Sequence, residues 1–243
     1  MRHRTRSTLL LLLLAASLGC ASSGNPVPYD PLERMNRGTF WFNEQLDRWL
    51  LEPVATGYDF VAPDRVQQCV SNFFDNLRFP VVFANDLLQG KLRRAGAELG
   101  RFGVNTTVGV AGLFDPATGW GLERRDEDFG QTLGHWGLGP GAYLVLPVLG
   151  PSGLRDAVAL PVDGALGVVN YVVDTPVVVG ARALQAVNTR AAFLELVEEN
   201  RAMAFDYYVF VRDAYRDLRQ NQVEDGEATP AAEDDDLYFP DSP

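Results

Sequence analysis

Thiols and imidazoles are almost missing from this chain of 243 residues, which holds two cysteines and two histidines. Only Cys69 and His135 lie in the interior of the sequence, so a disulfide framework, a cysteine metal cluster and a histidine-based metal site are all excluded there. Basic side chains are also in deficit, with 21 Lys and Arg against 32 Asp and Glu and a net charge of −11. A chain that acidic makes no nucleic-acid partner. Catalytic signatures are missing as well. Gly150-Pro151-Ser152-Gly153 begins like a nucleophile elbow but has Leu154 where the closing glycine belongs. A triad of Ser152, His135 and an aspartate has no further motif behind it, and Ser152 reads as an N-cap for Gly153 to Leu160. Gly103, Gly109 and Gly112 fit neither a dinucleotide fingerprint nor a P-loop. Asp126, Glu127 and Asp128 sit where a helix N-terminus favours acids and need no catalytic role. No catalytic residue, metal or cofactor is therefore expected, and the chain reads as something other than an enzyme.

Charge is absent from one long stretch in particular. Between His135 and Arg155, the nineteen residues Trp136 to Leu154 carry no ionisable side chain. A helix of that length would rise about 28 Å, close to the thickness of a bilayer core. Gly137, Gly139, Pro140, Gly141, Pro147, Gly150 and Pro151 forbid one continuous helix. Backbone broken so often is tolerated at membrane depth only where protein or a wet cavity satisfies its amides. The segment reads either as a folded, partly immersed element or as a glycine-rich core loop.

The beginning of the chain bears on that choice. Residues 1–19 combine a basic start (Arg2, His3, Arg4, Arg6), an apolar run from Leu9 to Leu14 and small residues before Cys20. They form a signal peptide too short to anchor the chain as a span. Ser17-Leu18-Gly19-Cys20 resembles a bacterial lipobox, with Ser17 in place of the usual large aliphatic residue. Cys20 is then the lipid anchor and the first mature residue. Several acyl chains, at roughly 0.8 kcal/mol per buried CH2, hold a protein firmly at a membrane. The alternative is an ordinary secretory peptide cut near Ala16, with Cys20 a bystander. Ala21 after the cysteine favours the outer membrane. Loss of three arginines with this peptide leaves eighteen basic residues against thirty-two acidic ones, a net charge of −14.

Residues 20–28 form a Ser/Gly/Pro tether, and 29–222 form one largely helical domain. Asp30-Pro31-Leu32-Glu33 predicts a helix start with a capping box. Leu32, Met35, Phe42, Leu46 and Trp49 then recur at helical spacing, with Phe40 and Trp41 off that stripe. Such a helix lies in a membrane, against a second protein, or buried all round. Pro53 is expected to end it. Pro63 opens a second helix with Val66, Cys69, Val70, Phe73 and Leu77 as its apolar row, in which Cys69 reads as a small core residue. A third runs from Pro80 to Gln89. Lys91, Arg93, Arg94 and Arg101 follow as a basic cluster, read as a solvated face or, beside anionic lipid, worth about 1 kcal/mol each. Asp163, Gly164 and Gly167 are expected to interrupt the next weakly charged run. Asp174-Thr175-Pro176 begins a helix carrying Val177 to Val187. Another starts near Thr189, and the last places Ala204, Tyr208, Val211, Tyr215 and Leu218 on one face. Residues 223–243, acidic throughout, are expected to be a disordered tail.

Read together, these motifs carry a family resemblance. Asp30-Pro31-Leu32-Glu33, Asn36-Arg37, Phe42-Asn43, Pro53-Val54-Ala55, Asn72-Phe73, Asn76-Leu77, Leu88-Gln89-Gly90, Arg101-Phe102 and Asn105-Thr106-Thr107 are similar, in order, to the MlaA (VacJ) family of outer-membrane lipoproteins. So are Gly112-Leu113-Phe114-Asp115, Phe129-Gly130-Gln131-Thr132-Leu133-Gly134, and Leu146-Pro147 through Gly150-Pro151-Ser152 with Arg155-Asp156. The resemblance covers about Asp30 to Tyr215. It implies a mainly α, ring-like helical domain in the inner leaflet of the outer membrane, with a central amphipathic channel. It also implies partners: phospholipids, a trimeric outer-membrane porin, a soluble periplasmic phospholipid carrier and, indirectly, an inner-membrane ABC transporter. The implied task is removal of mislocalised phospholipid from the outer leaflet. By this analogy Phe42 and Asn43 on the first helix, and Leu144 and Leu146 in a hairpin-like segment from Gly137 to Leu154, are the candidates for the lipid path. A structural lipoprotein bridging porins without a channel, and a lipid hydrolase, are the alternatives.

Overall fold

The computed structural model describes residues 30–226. The signal peptide, Cys20, the tether and the acidic tail after Gly226 fall outside the described residues. The first helix, α1, spans Glu33–Leu46. Asp30 prepares it, as its side chain accepts from the Leu32 amide at 3.1 Å and from Asn36 Nδ2 at 3.1 Å. The capping box does not form. Because helical backbone begins only at Glu33, that carboxylate stands at the first helical position, not the third, and instead accepts from Arg37 Nε at 2.8 Å.

Pro53 does not end this helix. A π-helical turn, Asp47–Leu51, joins α1 directly to α2 (Glu52–Val61), and Pro53 sits in the first turn of α2. The wider turn bonds five residues back, as from the Glu52 amide to the Asp47 carbonyl, and the strained register that a proline needs is absorbed there. After Pro63 come α3 (Asp64–Leu77), α4 (Phe79–Leu88) with Pro80 in its first turn, and α5 (Leu92–Thr107). Two short helices follow, α6 (Pro116–Gly119) and α7 (Phe129–His135). Asp128 caps α7, accepting from the Gln131 amide at 2.8 Å.

The uncharged stretch folds into an antiparallel hairpin of β1 (Tyr143–Leu146) and β2 (Gly150–Gly153), with Leu146 opposite Gly150. Helix α8 (Leu154–Leu166) starts straight after it. Its N-cap is Gly153, so Ser152 is no cap: it lies in β2, buried, and donates to the Gly153 carbonyl at 3.2 Å. Asp163 and Gly164 do not interrupt α8, which runs on to Gly167. The Asp163 carboxylate is drawn off by a tertiary partner, the Phe129 amide at 2.9 Å, and offers its own backbone no competing bond. Then come α9 (Val169–Val172), α10 (Thr175–Ala192), α11 (Leu194–Met203) and α12 (Tyr207–Val223). Helix α10 starts at Asp174-Thr175-Pro176 as expected and extends past Thr189, so the next helix begins at Leu194.

The packing closes on itself. α1 lies on β1, β2 on α8, α8 on α4, α4 on α3, α3 on α10, α10 on α2, and the π-helical turn returns α2 to α1. This circuit makes the fold a ring of helices interrupted by one hairpin. Its burial is inverted relative to a water-soluble domain. Among the described residues, only twelve apolar residues are buried, against sixteen polar or charged ones, while thirty-eight large apolar residues are exposed. Interior polarity on that scale with an apolar exterior suits a body surrounded by acyl chains, not by water. The stripe read on the first helix turns out to face outward: Met35 is 54% and Trp49 81% exposed, whereas Asn36 on the same helix is fully buried. The stripe of the last helix packs inward as expected, with Tyr208 in the core and Tyr215 against it. On α3, Val66 is exposed and Gln67 is buried, and Cys69 is only half-buried, outside the core. Lys91 and Arg101 are not a solvated face either. Lys91 is buried between Glu127 at 3.0 Å and Asp225 at 2.5 Å, and Arg101 is buried against Asp115 at 2.9 Å.

Candidate functional site

The hairpin is held by a helix that pairs with it as a strand would. Asn36 and Asn43 lie seven residues apart on α1, two turns, and so project from one face about 10 Å apart. The Asn36 amide donates to the Tyr143 carbonyl at 2.9 Å and accepts from the Val145 amide at 3.0 Å. Asn43 repeats the pattern one step along, donating to the Leu146 carbonyl at 2.9 Å and accepting from the Val148 amide at 2.8 Å. Asn36 thereby satisfies one donor and one acceptor on the free edge of β1, and Asn43 does the same where β1 runs into the turn.

The second clasp sits at a strained point. Val148, in the turn, has φ 68°, an outlying conformation for a β-branched residue. Such a conformation persists where its surroundings over-determine it, and the bond to Asn43 is part of that constraint. Val148 and Leu149 form an exposed apolar tip.

Behind the hairpin a charged network fixes the opposite side. Arg219 on α12 bridges Asp128 at 2.6 Å and Asp156 at 3.0 Å, Arg155 Nε reaches Asp156 at 2.9 Å, and the Tyr215 hydroxyl donates to Asp156 at 2.7 Å. These hydrogen bonds and the Arg219 charge hold the Asp128 and Asp156 carboxyls below their usual range despite burial. Gly130 is required here: a Cβ would lie 2.4 Å from Arg219 Nη2 and from Asp156 Oδ1. A cavity of about 270 Å³ opens between hairpin and α12, lined by Tyr143, Ser152, Arg155, Tyr215 and Arg216 among others.

Of the sequence candidates, Asn43 meets the hairpin, while Phe42, one position earlier on the helix, is 47% exposed. Leu144 and Leu146 share one half-buried face of β1, opposite the buried Tyr143 and Val145. His135 is exposed at the end of α7, and among the described residues no group of three or more His, Cys, Asp or Glu could hold a metal ion. Asn36 entered the sequence reading only within the Asn36-Arg37 motif, not as a site candidate. Its signal was there, a second asparagine seven residues, about two helical turns, before Asn43. Nor did the sequence single out the polar interior formed by α4, α5 and the loop before α7. There, cavities of about 490 and 420 Å³ adjoin, sharing Arg94, Glu123 and Arg125.

No helix among the described residues is long and apolar enough to cross a membrane. Comparison with known proteins agrees with this geometry. The family model described as MlaA lipoprotein matches residues 28–222. The intermembrane phospholipid transport system lipoprotein MlaA of Escherichia coli (strain K12) is 35% identical over 233 residues, covering 93% of this chain and 92% of that protein. The protein of the same name from Haemophilus influenzae is 33% identical, covering 95% of each chain. An uncharacterized protein of Rickettsia conorii is 34% identical over 207 residues, 85% of this chain and 82% of its own. A solved structure described as the structural basis for maintenance of bacterial outer membrane lipid asymmetry superposes with a TM-score of 0.72 at 33% identity, covering 80% of this chain and 99% of that one.

Proposed function

Because the chain belongs to the MlaA lipoprotein family, we propose that it is an outer-membrane lipoprotein that removes mislocalised phospholipid from the outer leaflet and so maintains lipid asymmetry. The observation that carries this reading is the inverted burial: a ring with an apolar exterior and a polar interior. A phospholipid needs an apolar surface for its tails and a polar one for its head, and this fold offers both within one circuit. The ring sits in the inner leaflet, anchored through Cys20, and the hairpin bounds an amphipathic channel, with Leu144 and Leu146 on its wall and Asn43 fixing its position.

In this reading a trimeric porin holds the ring in place, a soluble periplasmic carrier receives the lipid, and an inner-membrane ABC transporter acts downstream. Deletion of the gene should cause phospholipid to accumulate in the outer leaflet, and the wild-type chain should reverse it. An outer leaflet that stays free of phospholipid in the deletion strain refutes the reading. Replacing Cys20 with serine should leave an unprocessed or soluble form, and intact-mass analysis of the wild type without acyl chains would contradict the anchor.

A further inference from the structure

The cavity of about 490 Å³ between the end of α4, the first turns of α5 and the loop before α7 carries three acids and three arginines: Asp86, Glu98 and Glu123 against Arg93, Arg94 and Arg125. Some of these are settled. Arg94 pairs with Asp225, and Arg125 with Glu123 at 3.1 Å. Others are not. Asp86 is 2% exposed, and its Oδ1 is buried without a hydrogen-bond partner among the described residues. The Glu98 side chain is largely buried, and its nearest guanidinium nitrogen, Arg101 Nε, stands 3.8 Å away. Arg101 is already committed to Asp115 and Thr118. Arg93 is exposed at the same cavity.

A buried carboxylate oxygen without a donor is costly and calls for an explanation. Burial and the nearby Glu127 push Asp86 up to about 6, and burial pushes Glu98 up to about 7. Both acids are short of positive charge in a cavity that also presents arginine at its wall. No group of three candidate ligands suited to a metal ion exists among the described residues. A primary ammonium has three donors and no acceptor, which matches carboxylates that only accept. The planar guanidinium matches a phosphodiester.

We propose that this cavity receives the headgroup of an amine-bearing phospholipid, with the ammonium on Asp86 and Glu98 and the phosphodiester on Arg93. The inference rests on the phospholipid-transfer reading above and names its substrate class. A headgroup lacking the amine leaves Asp86 unpaired, and a site built to bond a group discriminates against analogues without it.

The test uses the full chain in detergent micelles and soluble probes followed by calorimetry: glycerophosphoethanolamine, glycerophosphoglycerol, ethanolamine, inorganic phosphate and calcium. Glycerophosphoethanolamine should bind at least tenfold more tightly than any other probe. Asp86→Asn, nearly isosteric, should remove that preference and leave glycerophosphoglycerol unchanged, whereas Arg93→Gln should weaken both phosphodiesters. Should Asp86→Asn fail to fold, Glu98→Gln must show the same selective loss. Equal binding of the two phosphodiesters, phosphate or calcium binding as tightly as glycerophosphoethanolamine, or unchanged preference in the folded variants would each overturn the assignment. If no probe binds while gene deletion still loads the outer leaflet with phospholipid, the cavity assignment fails and the transfer reading stands.

Discussion

Replacing Asn36 with leucine keeps the branching and heavy-atom count of the side chain and removes one amide from a fully buried position. That amide serves the Tyr143 carbonyl, the Val145 amide and Asp30. Leucine strands the first two on the inner edge of β1, and each buried group left unmatched costs about 1–3 kcal/mol. The loss is therefore about 4 kcal/mol, a large part of the 5–15 kcal/mol that typically holds a domain together. At roughly 2–4 °C per kcal/mol for a domain of this size, the melting temperature should fall by about 8–16 °C. The change should also be local: amide hydrogen exchange at Val145 should accelerate far more than at α10, which is remote from the clasp. Asn43→Leu should have a smaller effect, because its partners at the turn are partly exposed, and should mainly release Val148. If Asn36→Leu melts with the wild type and Val145 keeps its protection, the clasp does not hold the hairpin and the reasoning is wrong.

Leu144→Arg and Leu146→Arg should both raise outer-leaflet phospholipid at normal protein abundance, since the two residues share a face and a charge at membrane depth costs roughly 3 kcal/mol; a clean outer leaflet in both would remove this face from the lipid path. Arg201 is buried among Glu44, Asp47 and Glu52. Arg201→Met leaves Arg190 alone to serve Asp47 and Glu52, and only the exposed Arg48 near Glu44, and should lower stability by about 3 kcal/mol, read as a fall in melting temperature. Glu98, held up to about 7, binds a proton in the folded state that the unfolded chain has already released. Its contribution is thus present near pH 4 and is lost as pH rises towards 7, so Glu98→Gln should gain stability relative to wild type between pH 5 and pH 8; a constant difference across that range would refute it. Asp115, drawn down to about 2 by Thr118, Asn105 and Arg101 against its burial, acts in the opposite sense, contributing above pH 4 and failing as pH falls towards 2.

Helix starts were legible because their causes are local. Pro63, Pro80 and Asp174-Thr175-Pro176 each act through their own backbone geometry, and so does the glycine and proline pattern that bends the uncharged stretch into a hairpin. The orientation of the last helix was legible, but that of the first was not. A stripe such as Met35, Phe42 and Trp49 marks the apolar face of a helix, but the same spacing serves a core and a bilayer equally, and here it faces outward. The basic cluster misled for a related reason. Lys91 and Arg94 are neutralised by Asp225, and Arg101 by Asp115, pairings that depend on where a distant or bent chain returns. Asp225 lies in the stretch 223–243 expected to be disordered, yet it is held by ion pairs with both Lys91 and Arg94. The Asn36 clasp joins residues 109 apart, beyond any local pattern.

The π-helical turn sets the phase of the whole circuit. A π turn holds one more residue than the α-helical turn it replaces, so everything before it is rotated by about 100° against everything after it. Asn36 and Asn43 stand upstream of Asp47–Leu51 and face the hairpin, while α2 stands downstream and faces α10. With an ordinary turn there, only one of those engagements could be made at a time. Arg190 and Arg201, which grip Asp47 from α10 and α11 at 2.9 and 2.6 Å, lock the surplus residue in place. Removing a single residue from 47–51 would thus leave a longer, more regular helix and an open ring, with the hairpin and α10 competing for alignment with the same rod.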